Sequence, residues 1–213
     1  ILKSPAQPLA TVSRSRRHAM TRNVCIMQGH PHATGKHLCH AIAEFYAAGA
    51  REAGANVSLV DIGNLDVPIL RNPEDFISAP PAQIIAAQEA VRSAQHLVVI
   101  FPLWLGTMPA VVKAFFEQLS RNAFAIRSQD GSQWPQQMLK GRTARIIVTM
   151  GMPSFAYRWM FGAHGVRTLS KSVLQLSGIK PVRETFIGGV GTLTPSSSAR
   201  LLERVRLLGR ELR

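Results

Sequence analysis

The chain is short of acidic residues and of cysteine. Its 213 residues include 12 aspartates and glutamates against 25 lysines and arginines, for a net charge of +13, and two cysteines, Cys25 and Cys39. Two cysteines make no disulfide framework, so we predict buried, reduced thiols in a cytoplasmic protein. Between His96 and Lys113 lie 16 residues without a charge, residues 97–112, interrupted by prolines and a glycine, whereas a membrane span needs about 20 apolar residues. Disulfide-rich secreted and membrane-spanning classes are therefore excluded.

The positive charge is unevenly distributed. Lys3, Arg14, Arg16 and Arg17 lie in residues 1–19, which contain no acid and no sustained helical pattern. We therefore predict a flexible basic leader there and one folded domain over residues 20–213. The remaining charge of +9 predicts either attraction of anionic ligands or a scattered, solubilising surface. No Lys/Arg stripe alternates with aromatic residues, so we predict no nucleic-acid partner.

Two common phosphate-binding motifs are missing. The segment "GHPHATGK", residues 29–36, ends in glycine and lysine as a nucleoside-triphosphate loop does. However, five residues separate Gly29 from Gly35 where that motif has about four, and His37 stands where it has a hydroxyl for magnesium. The dinucleotide fingerprint Gly-x-Gly-x-x-Gly is absent as well. The sequence therefore predicts neither of these two sites.

Apolar runs and helical periodicities alternate along the chain. The apolar runs predict strands at residues 24–27, 56–61, 96–102, 144–149 and 184–187. Helical spacing predicts helices at residues 38–54, 82–94, 108–119 and 159–176, and a last helix after the capping segment "TPSSS". Five strands alternating with helices predict an α/β fold with a doubly wound five-stranded parallel sheet, in three α/β/α layers.

Three loops follow the first, third and fourth predicted strands: residues 29–37, 101–109 and 149–157. We expect them to meet at the carboxyl edge of the sheet, where such folds bind ligands. In the first loop, Thr34 and Gly35 precede a helix whose free N–H groups attract phosphate, and Lys36 and His37 add charge and donors. A plain turn with a helix cap at Thr34 is the alternative interpretation.

Four histidines and a cysteine are close together in and after the first loop. They are His30, His32, His37, His40 and Cys39. Their spacing matches no closed tetrahedral zinc pattern, so we predict no metal site. The histidines are better explained as phosphate contacts or as solvent-exposed side chains.

The second loop carries a resemblance to a known family. The segment "FPLWLGTMPA", residues 101–110, followed by "VVKAFFEQL", resembles the signature of the flavodoxin-like NAD(P)H:quinone oxidoreductases, which include the modulator of drug activity B proteins and the potassium-efflux ancillary reductases. The segments "DIGNLDVPIL" and "GMPSFAYRWMFGAHG" are similar to two further parts of that family, so the likeness runs from about residue 22 to residue 189. The resemblance implies a flavodoxin-like fold, NAD(P)H dehydrogenase (quinone) activity, and a tightly bound FMN or FAD.

The resemblance also implies which residues form the site. The flavin phosphate is expected at His30, Thr34, Gly35, Lys36 and His37. The isoalloxazine ring is expected against Pro102, Leu103, Trp104 and Leu105, with backbone amides of this turn donating to it and with Thr149, Gly151 and Met152 beneath it. The apolar walls of the substrate pocket are expected to be Trp104, Tyr157, Trp159 and Phe161, across a homodimer interface. Many members have Thr-Gly-Gly where this chain has Met-Gly-Met, which leaves the choice between FMN and FAD open.

The mechanism that the resemblance implies is ping-pong, two-electron hydride transfer from NADH or NADPH to a quinone. Tyr157 and His164 match a pair suggested to relay charge, with His164 offset by one position; the alternative is that Tyr157 is a wall residue and His164 a surface histidine. Two other functions stay open at this point. One is an ancillary subunit docked on a potassium-efflux antiporter, and the other is a flavodoxin-type electron carrier, which the basic composition disfavours.

Overall fold

A computed structural model describes residues 22–128 and 132–212. The predicted leader, residues 1–19, and the predicted start of the domain at Met20 lie outside the described residues. The strands within these ranges are β1 (Asn23–Gln28), β2 (Asn56–Asp61), β3 (His96–Pro102), β4 (Ile126–Arg127), β5 (Gln136–Gln137), β6 (Thr143–Thr149) and β7 (Val182–Ile187). The five longer strands form one parallel sheet in the order β2-β1-β3-β6-β7, and β4 and β5 pair as a short antiparallel ladder.

Helices cover both faces of the sheet. They are α1 (Leu38–Glu52), α2 (Ala82–Ser93), α3 (Ala110–Leu119), α4 (Ser154–Met160), α5 (His164–Arg167), a π-helical continuation (Thr168–Gln175) and α6 (Pro195–Glu211). One core lies between the sheet and α1 and α6, and the other lies between the sheet and α2, α3 and the π-helical segment. The predicted doubly wound, flavodoxin-like three-layer fold is therefore confirmed.

The apolar strands are explained by this double coverage. Strands covered on both faces have no polar side, so they read as continuous runs rather than as alternating patterns. In β3, every residue from His96 to Phe101 is buried. The order of the strands reverses between β1 and β3, so the loops after these two strands leave the sheet on either side of a cleft. The fold thereby positions a ligand site at this edge.

Helix α1, which begins at the site, is held tightly against α6. A Cβ added at Gly49 would collide with the backbone of Arg206, and one added at Gly209 would collide with the backbone of Tyr46. Glycine at both positions lets the two helix backbones approach closely. An ion pair between Arg206 and Glu52 also joins the two helices.

The predicted helical region 159–176 is mainly helical, but it is not one regular helix. Helix α4 begins earlier, at Ser154, and ends at Met160; Gly162 (φ 57°) and Ala163 (φ 52°) then take left-handed conformations before α5 begins. A glycine adopts this conformation without steric cost, which explains where the helix breaks. The ladder of β4 and β5 was not predicted, because two residues per strand are too few to form a pattern. None of the helices in residues 22–128 and 132–212 is long and apolar enough to cross a membrane.

Candidate active site

The first loop brings its histidines into direct contact. The rings of His30 and His37 stack with centroids 3.8 Å apart and an interplanar angle of 16°. A hydrogen bond of 2.9 Å joins His32 Nδ1 and His37 Nε2, and one of 3.3 Å joins His32 Nε2 and Thr34 Oγ1. His37 is the residue that precedes α1, in extended conformation. The alternative interpretation, a helix cap at Thr34, is therefore wrong.

Gly35 makes room for the two paired histidines. A Cβ at this position would collide with the ring nitrogens of His32 and His37. The same part of the loop opens into a surface depression, whose lining includes Lys36, His40 and Glu44. The predicted phosphate contacts, His30 and residues 34–37, thus lie together in one loop, and His32 and His40 join them. Within the ranges that the structure describes, no three His, Cys, Asp or Glu side chains are arranged to hold a metal ion.

Three buried polar atoms around this loop have no hydrogen-bond partner among the described residues. They are Gln28 Nε2, His40 Nε2 and Asp61 Oδ1. Gln28 is 1% exposed and accepts a hydrogen bond from the His30 N–H through Oε1, and Asp61 lies opposite Gln28 in the β1–β2 pairing. A buried donor or acceptor without a partner is costly, and native proteins usually satisfy it with protein, water or ligand. Two of the three, Gln28 Nε2 and His40 Nε2, are donors and fit an acceptor such as a phosphate oxygen, whereas Asp61 Oδ1 is an acceptor and needs a donor.

His30 links the first loop to the second. Burial, with a further contribution from neighbouring His37 and His40, lowers the pKa of His30 to about 4. His30 is therefore neutral at physiological pH, and because its Nδ1 accepts from the His32 N–H at 3.2 Å, its proton is assigned to Nε2. Its ring also meets the Trp104 ring edge-on, with centroids 6.4 Å apart. A polar group on one loop thus borders an apolar group on the other.

The second loop is a closed tight turn. Trp104 and Thr107 exchange two backbone hydrogen bonds of 2.9 and 3.0 Å, and the turn between them has positive φ at Leu105 (48°) and Gly106 (79°). Positive φ at both central residues is the geometry of a type I′ turn. The turn presents the Trp104 side chain and a fully exposed Leu105 side chain. An apolar platform therefore stands at the carboxyl end of β3.

The backbone amides of residues 102–105 were expected to donate to the flavin ring, and the structure corrects this expectation. Pro102 has no N–H, the Leu103 N–H donates to the Thr149 carbonyl at 2.8 Å, and the Trp104 N–H donates to the Thr107 carbonyl. The turn closes on itself and on β6, so these groups are engaged. Among the described residues, the N–H groups of Leu105 and Gly106 donate no hydrogen bond. These two amides are the donors of the turn that a ligand can use.

Tyr157 holds the turn from behind. It is 1% exposed, and its hydroxyl donates to the Gly106 carbonyl at 2.8 Å. Burial raises the pKa of Tyr157. Gly165 packs against the same turn, because a Cβ there would collide with the backbone of Gly106 and Thr107. The structure therefore places Tyr157 beneath the platform, and its role as a wall of the substrate pocket stays a prediction.

His164 does not meet Tyr157. It lies exposed at the start of α5, and no hydrogen bond or ring contact joins the two side chains within the described ranges. Their role as a relay pair stays a prediction. Sequence reasoning had no means of finding the bond between Tyr157 and Gly106, because it joins residues 51 positions apart.

The third loop contributes open backbone and one buried threonine. A Cβ added at Gly151 would meet nothing within 4 Å, and Met152 is partly exposed. Thr149 is buried, with its hydroxyl hydrogen-bonded to Cys39 Sγ at 3.4 Å. Burial, opposed by this bond, raises the pKa of the Cys39 thiol to about 11, which explains an unreactive thiol. Gly151 and Met152 thus lie open at the end of β6, while Thr149 fixes the end of this strand against α1.

Helix α4 carries an exposed apolar surface, here named the α4 patch. It consists of Phe155, Trp159, Met160 and Phe161, with exposed fractions of 71, 88, 71 and 51%. Trp159 and Phe161 were expected to line a pocket, whereas Phe155 and Met160 were not foreseen. The signal that could have found them is the run of large apolar residues in "SFAYRWMF", where Tyr157 is the buried member.

Comparison with known proteins agrees with this architecture. The solved structures of Smu.1420 from Streptococcus mutans UA159 and of the NAD(P)H:quinone oxidoreductase from Methanothermobacter marburgensis superpose with TM-scores of 0.74 and 0.77. They are 24% and 21% identical to this chain, and the matches cover 89% and 91% of it and 99% and 100% of those chains. An FMN-dependent NADH-azoreductase from Bacillus anthracis, solved in complex with FMN, matches with a TM-score of 0.70 at 13% identity, over 90% of this chain and 99% of that one.

One curated relative and a family model extend the comparison to sequence. The chain is 21% identical over 187 residues to an uncharacterised NAD(P)H oxidoreductase of Haemophilus influenzae, covering 85% of this chain and 91% of that protein. The family model Flavodoxin_2, described as a flavodoxin-like fold, matches residues 22–207. The resemblance inferred from the motifs is thereby confirmed, and the chain belongs to the Flavodoxin_2 family.

Proposed function

We propose that the protein is a flavin-dependent NAD(P)H:quinone oxidoreductase. The proposal rests on the contact between the rings of His30 and Trp104, which brings the polar first loop next to the apolar second loop. On one side lies a histidine-rich loop with unpartnered buried polar atoms, and on the other an apolar platform with two unused amides. A phosphorylated flavin has matching parts: an anionic tail and a flat, largely apolar ring with polar edges. The names of the relatives, NAD(P)H oxidoreductase and NAD(P)H:quinone oxidoreductase, agree with it.

The residues of the chain would divide the binding of a flavin between them. The phosphate would be held by His30, Thr34, Gly35, Lys36 and His37, where the start of α1 and the charge of Lys36 favour an anion. The ring would lie against Pro102, Leu103, Trp104 and Leu105, with Gly151 and Met152 from the third loop. The amides of Leu105 and Gly106 would donate to the polar edge of the ring, and donors at that edge favour a reduced, anionic flavin.

The chemistry itself would belong to the cofactor. A bound FMN or FAD supplies two-electron transfer from NADH or NADPH to a quinone-type acceptor, in two successive half-reactions at one site. The protein would bind, orient and exclude water. Trp104 and Leu105 remove water from the ring, and the excess of positive charge draws the anionic donor toward the protein. Tyr157 keeps the turn in position from beneath.

We also propose a homodimer that covers the α4 patch. Four large, exposed apolar side chains in seven consecutive residues form a surface of the kind that marks an interface. In a dimer the second copy would bury this surface, and Trp159 and Phe161 would then act as pocket walls, as the family resemblance implies. Three of the relatives named above carry the names of an NAD(P)H oxidoreductase, an NAD(P)H:quinone oxidoreductase and an NADH-azoreductase, which favours an enzyme over the electron-carrier and antiporter-subunit alternatives.

The test begins with protein purified without added cofactor. Its visible spectrum is recorded, any released flavin is identified as FMN or FAD, and the protein is titrated anaerobically with NADPH and separately with NADH. We expect a yellow protein that is bleached by one equivalent of reduced nicotinamide and recoloured by a quinone. A colourless protein that neither FMN nor FAD reconstitutes would overturn the proposal.

A further inference from the structure

The hydrogen bond between the paired histidines of the first loop limits the number of protons that the two rings can carry. His32 Nδ1 and His37 Nε2 lie 2.9 Å apart, so the space between them holds one hydrogen atom. A neutral pair has one hydrogen in this bridge and one on an outer ring nitrogen. One more proton fits on the remaining outer nitrogen and leaves the bridge intact. A second would place hydrogens on both facing nitrogens and break it, so the bridged pair accepts one proton.

Other imidazole rings and charged groups surround the pair. His30 stacks on His37 at 3.8 Å, and the ring of His40 lies 5.8 Å from that of His37. Positive charge on any of these rings disfavours charge on its neighbours, and the low pKa of His30 shows this effect together with burial. Lys36 adds a fixed positive charge in the same loop.

The acidic groups near the loop lie on two other elements. Glu44 lies on α1 in the lining of the same depression. Asp61 ends β2, and its Oδ2 accepts from Asn64 Nδ2 at 2.6 Å. The turn that follows Asp61 packs against the first loop, since a Cβ at Gly63 would collide with the backbone of His30. The second loop contributes Trp104, which has no charge. Glu44 is exposed to water, and Asp61 is engaged by Asn64 through Oδ2 alone, with its buried Oδ1 left without a partner among the described residues.

We propose that the His32–His37 pair takes up one proton when a phosphate monoester binds in the first loop, so that phosphate binding is coupled to proton uptake. This inference rests on the proposed function, because it takes the flavin phosphate as the anion. A dianion beside the pair favours its charged form, and the outer N–H groups created by the proton become donors. By linkage, the complex binds more protons than the free protein, so affinity falls as the pH rises.

The measurement is isothermal titration calorimetry of the flavin-free full-length chain with FMN, in two buffers of different protonation enthalpy. At about pH 8 ordinary imidazoles are neutral and a phosphate monoester is a dianion, so the phosphate itself releases no proton. We expect uptake of about one proton per FMN bound, and an FMN Kd that rises by up to about tenfold per pH unit above neutrality. Riboflavin, which has no phosphate, is expected to bind without proton uptake and with a Kd independent of pH.

Two variants assign the proton. In His32→Gln/His37→Gln both titrating rings are lost, and FMN is expected to bind more weakly and without proton uptake. Lys36→Gln is the matched control in the same loop, because it removes a fixed charge and keeps the pair: its FMN affinity is expected to fall while the proton uptake stays.

The possible outcomes separate the two proposals. FMN binding without proton uptake, or uptake that persists in the double variant, would overturn the role of the pair and leave the flavin function standing. Failure of FMN, FAD and riboflavin alike to bind would overturn both proposals.

Discussion

The replacement Tyr157→Phe tests whether this tyrosine anchors the platform or transfers protons. The phenylalanine ring keeps the packing against Phe161 and Phe186, whose ring centroids lie 6.5 and 6.0 Å from that of Tyr157. What is lost is the donor to the Gly106 carbonyl. A hydrogen bond of this kind contributes about 0.5–1.5 kcal/mol, and a buried carbonyl left without a partner costs up to about 3 kcal/mol. The bond is partly buried although Gly106 as a residue is exposed, so we use the first of these two figures.

The expected loss is therefore about 1 kcal/mol in the free energy of unfolding. If the same free energy is lost from the ordering of the turn, the Kd for flavin rises by about fivefold. The rate of flavin reduction by NADPH at saturation is expected to change little, because Tyr157 lies beneath the platform. Urea unfolding, flavin fluorescence titration and rapid-mixing absorbance measure the three quantities.

The chain's other tyrosine is the control. Tyr46 is equally buried and its hydroxyl is hydrogen-bonded to His96 Nε2 at 2.9 Å, among residues at the opposite end of β3 from the site. Tyr46→Phe is therefore expected to lower the free energy of unfolding without changing the flavin Kd. The anchoring role is refuted if Tyr157→Phe slows flavin reduction by about 10²- to 10⁴-fold with an unchanged Kd, which is the effect of losing a proton donor in the reaction.

Three further results are expected. Burial, with nearby Arg145, lowers the pKa of His96 from 6.5 to about 4. Between these two pH values the unfolded chain binds one more proton than the folded protein, so the free energy of unfolding falls by about 3 kcal/mol as the pH drops from 6.5 to 4. The variant His96→Gln should show a weaker pH dependence in urea titrations. Gly35→Ala should weaken FMN binding at least tenfold, because the added Cβ displaces the paired histidines. Gly191→Ala is the control, since an added Cβ there meets nothing within 4 Å and should leave the FMN Kd unchanged. Equal Kd values for the two variants would contradict the role of Gly35 in making room for His32 and His37. Trp159→Ser should shift the protein from dimer to monomer in sedimentation, and an unchanged dimer would show that the α4 patch is not its interface.

The three central strands, β1, β3 and β6, could be predicted from the sequence because they are buried on both faces, whereas the edge strands β2 and β7 are partly exposed. Strand β3 matches the expected residues 96–102, and β2 matches residues 56–61. The positions of the loops follow from the order of the elements, since carboxyl ends of parallel strands share one edge. Local features of the first loop, a glycine, a lysine and a helix start, left an anion site and a plain turn as alternatives, and the family resemblance favoured the anion site.

The remainder of the site depends on contacts between distant residues. The bond from Tyr157 to Gly106 and the bond from Cys39 to Thr149 each join separate elements, so no local pattern encodes them. Both Tyr157 and Thr149 were expected to face a ligand, because the family resemblance implied those roles. The fold instead turns their hydroxyl groups toward the protein, where they hold the platform and the end of β6 in position.

Leu105 is the residue whose local preference and structure disagree most clearly. A type I′ turn favours glycine, asparagine or aspartate at this position, and a leucine with φ of 48° costs about 1–2 kcal/mol. Its side chain is fully exposed and makes no compensating burial within the chain. Strain of this kind persists where function requires the side chain. We infer that the leucine is kept for an apolar contact made outside this chain, either with the flavin ring or with the second copy that covers the α4 patch.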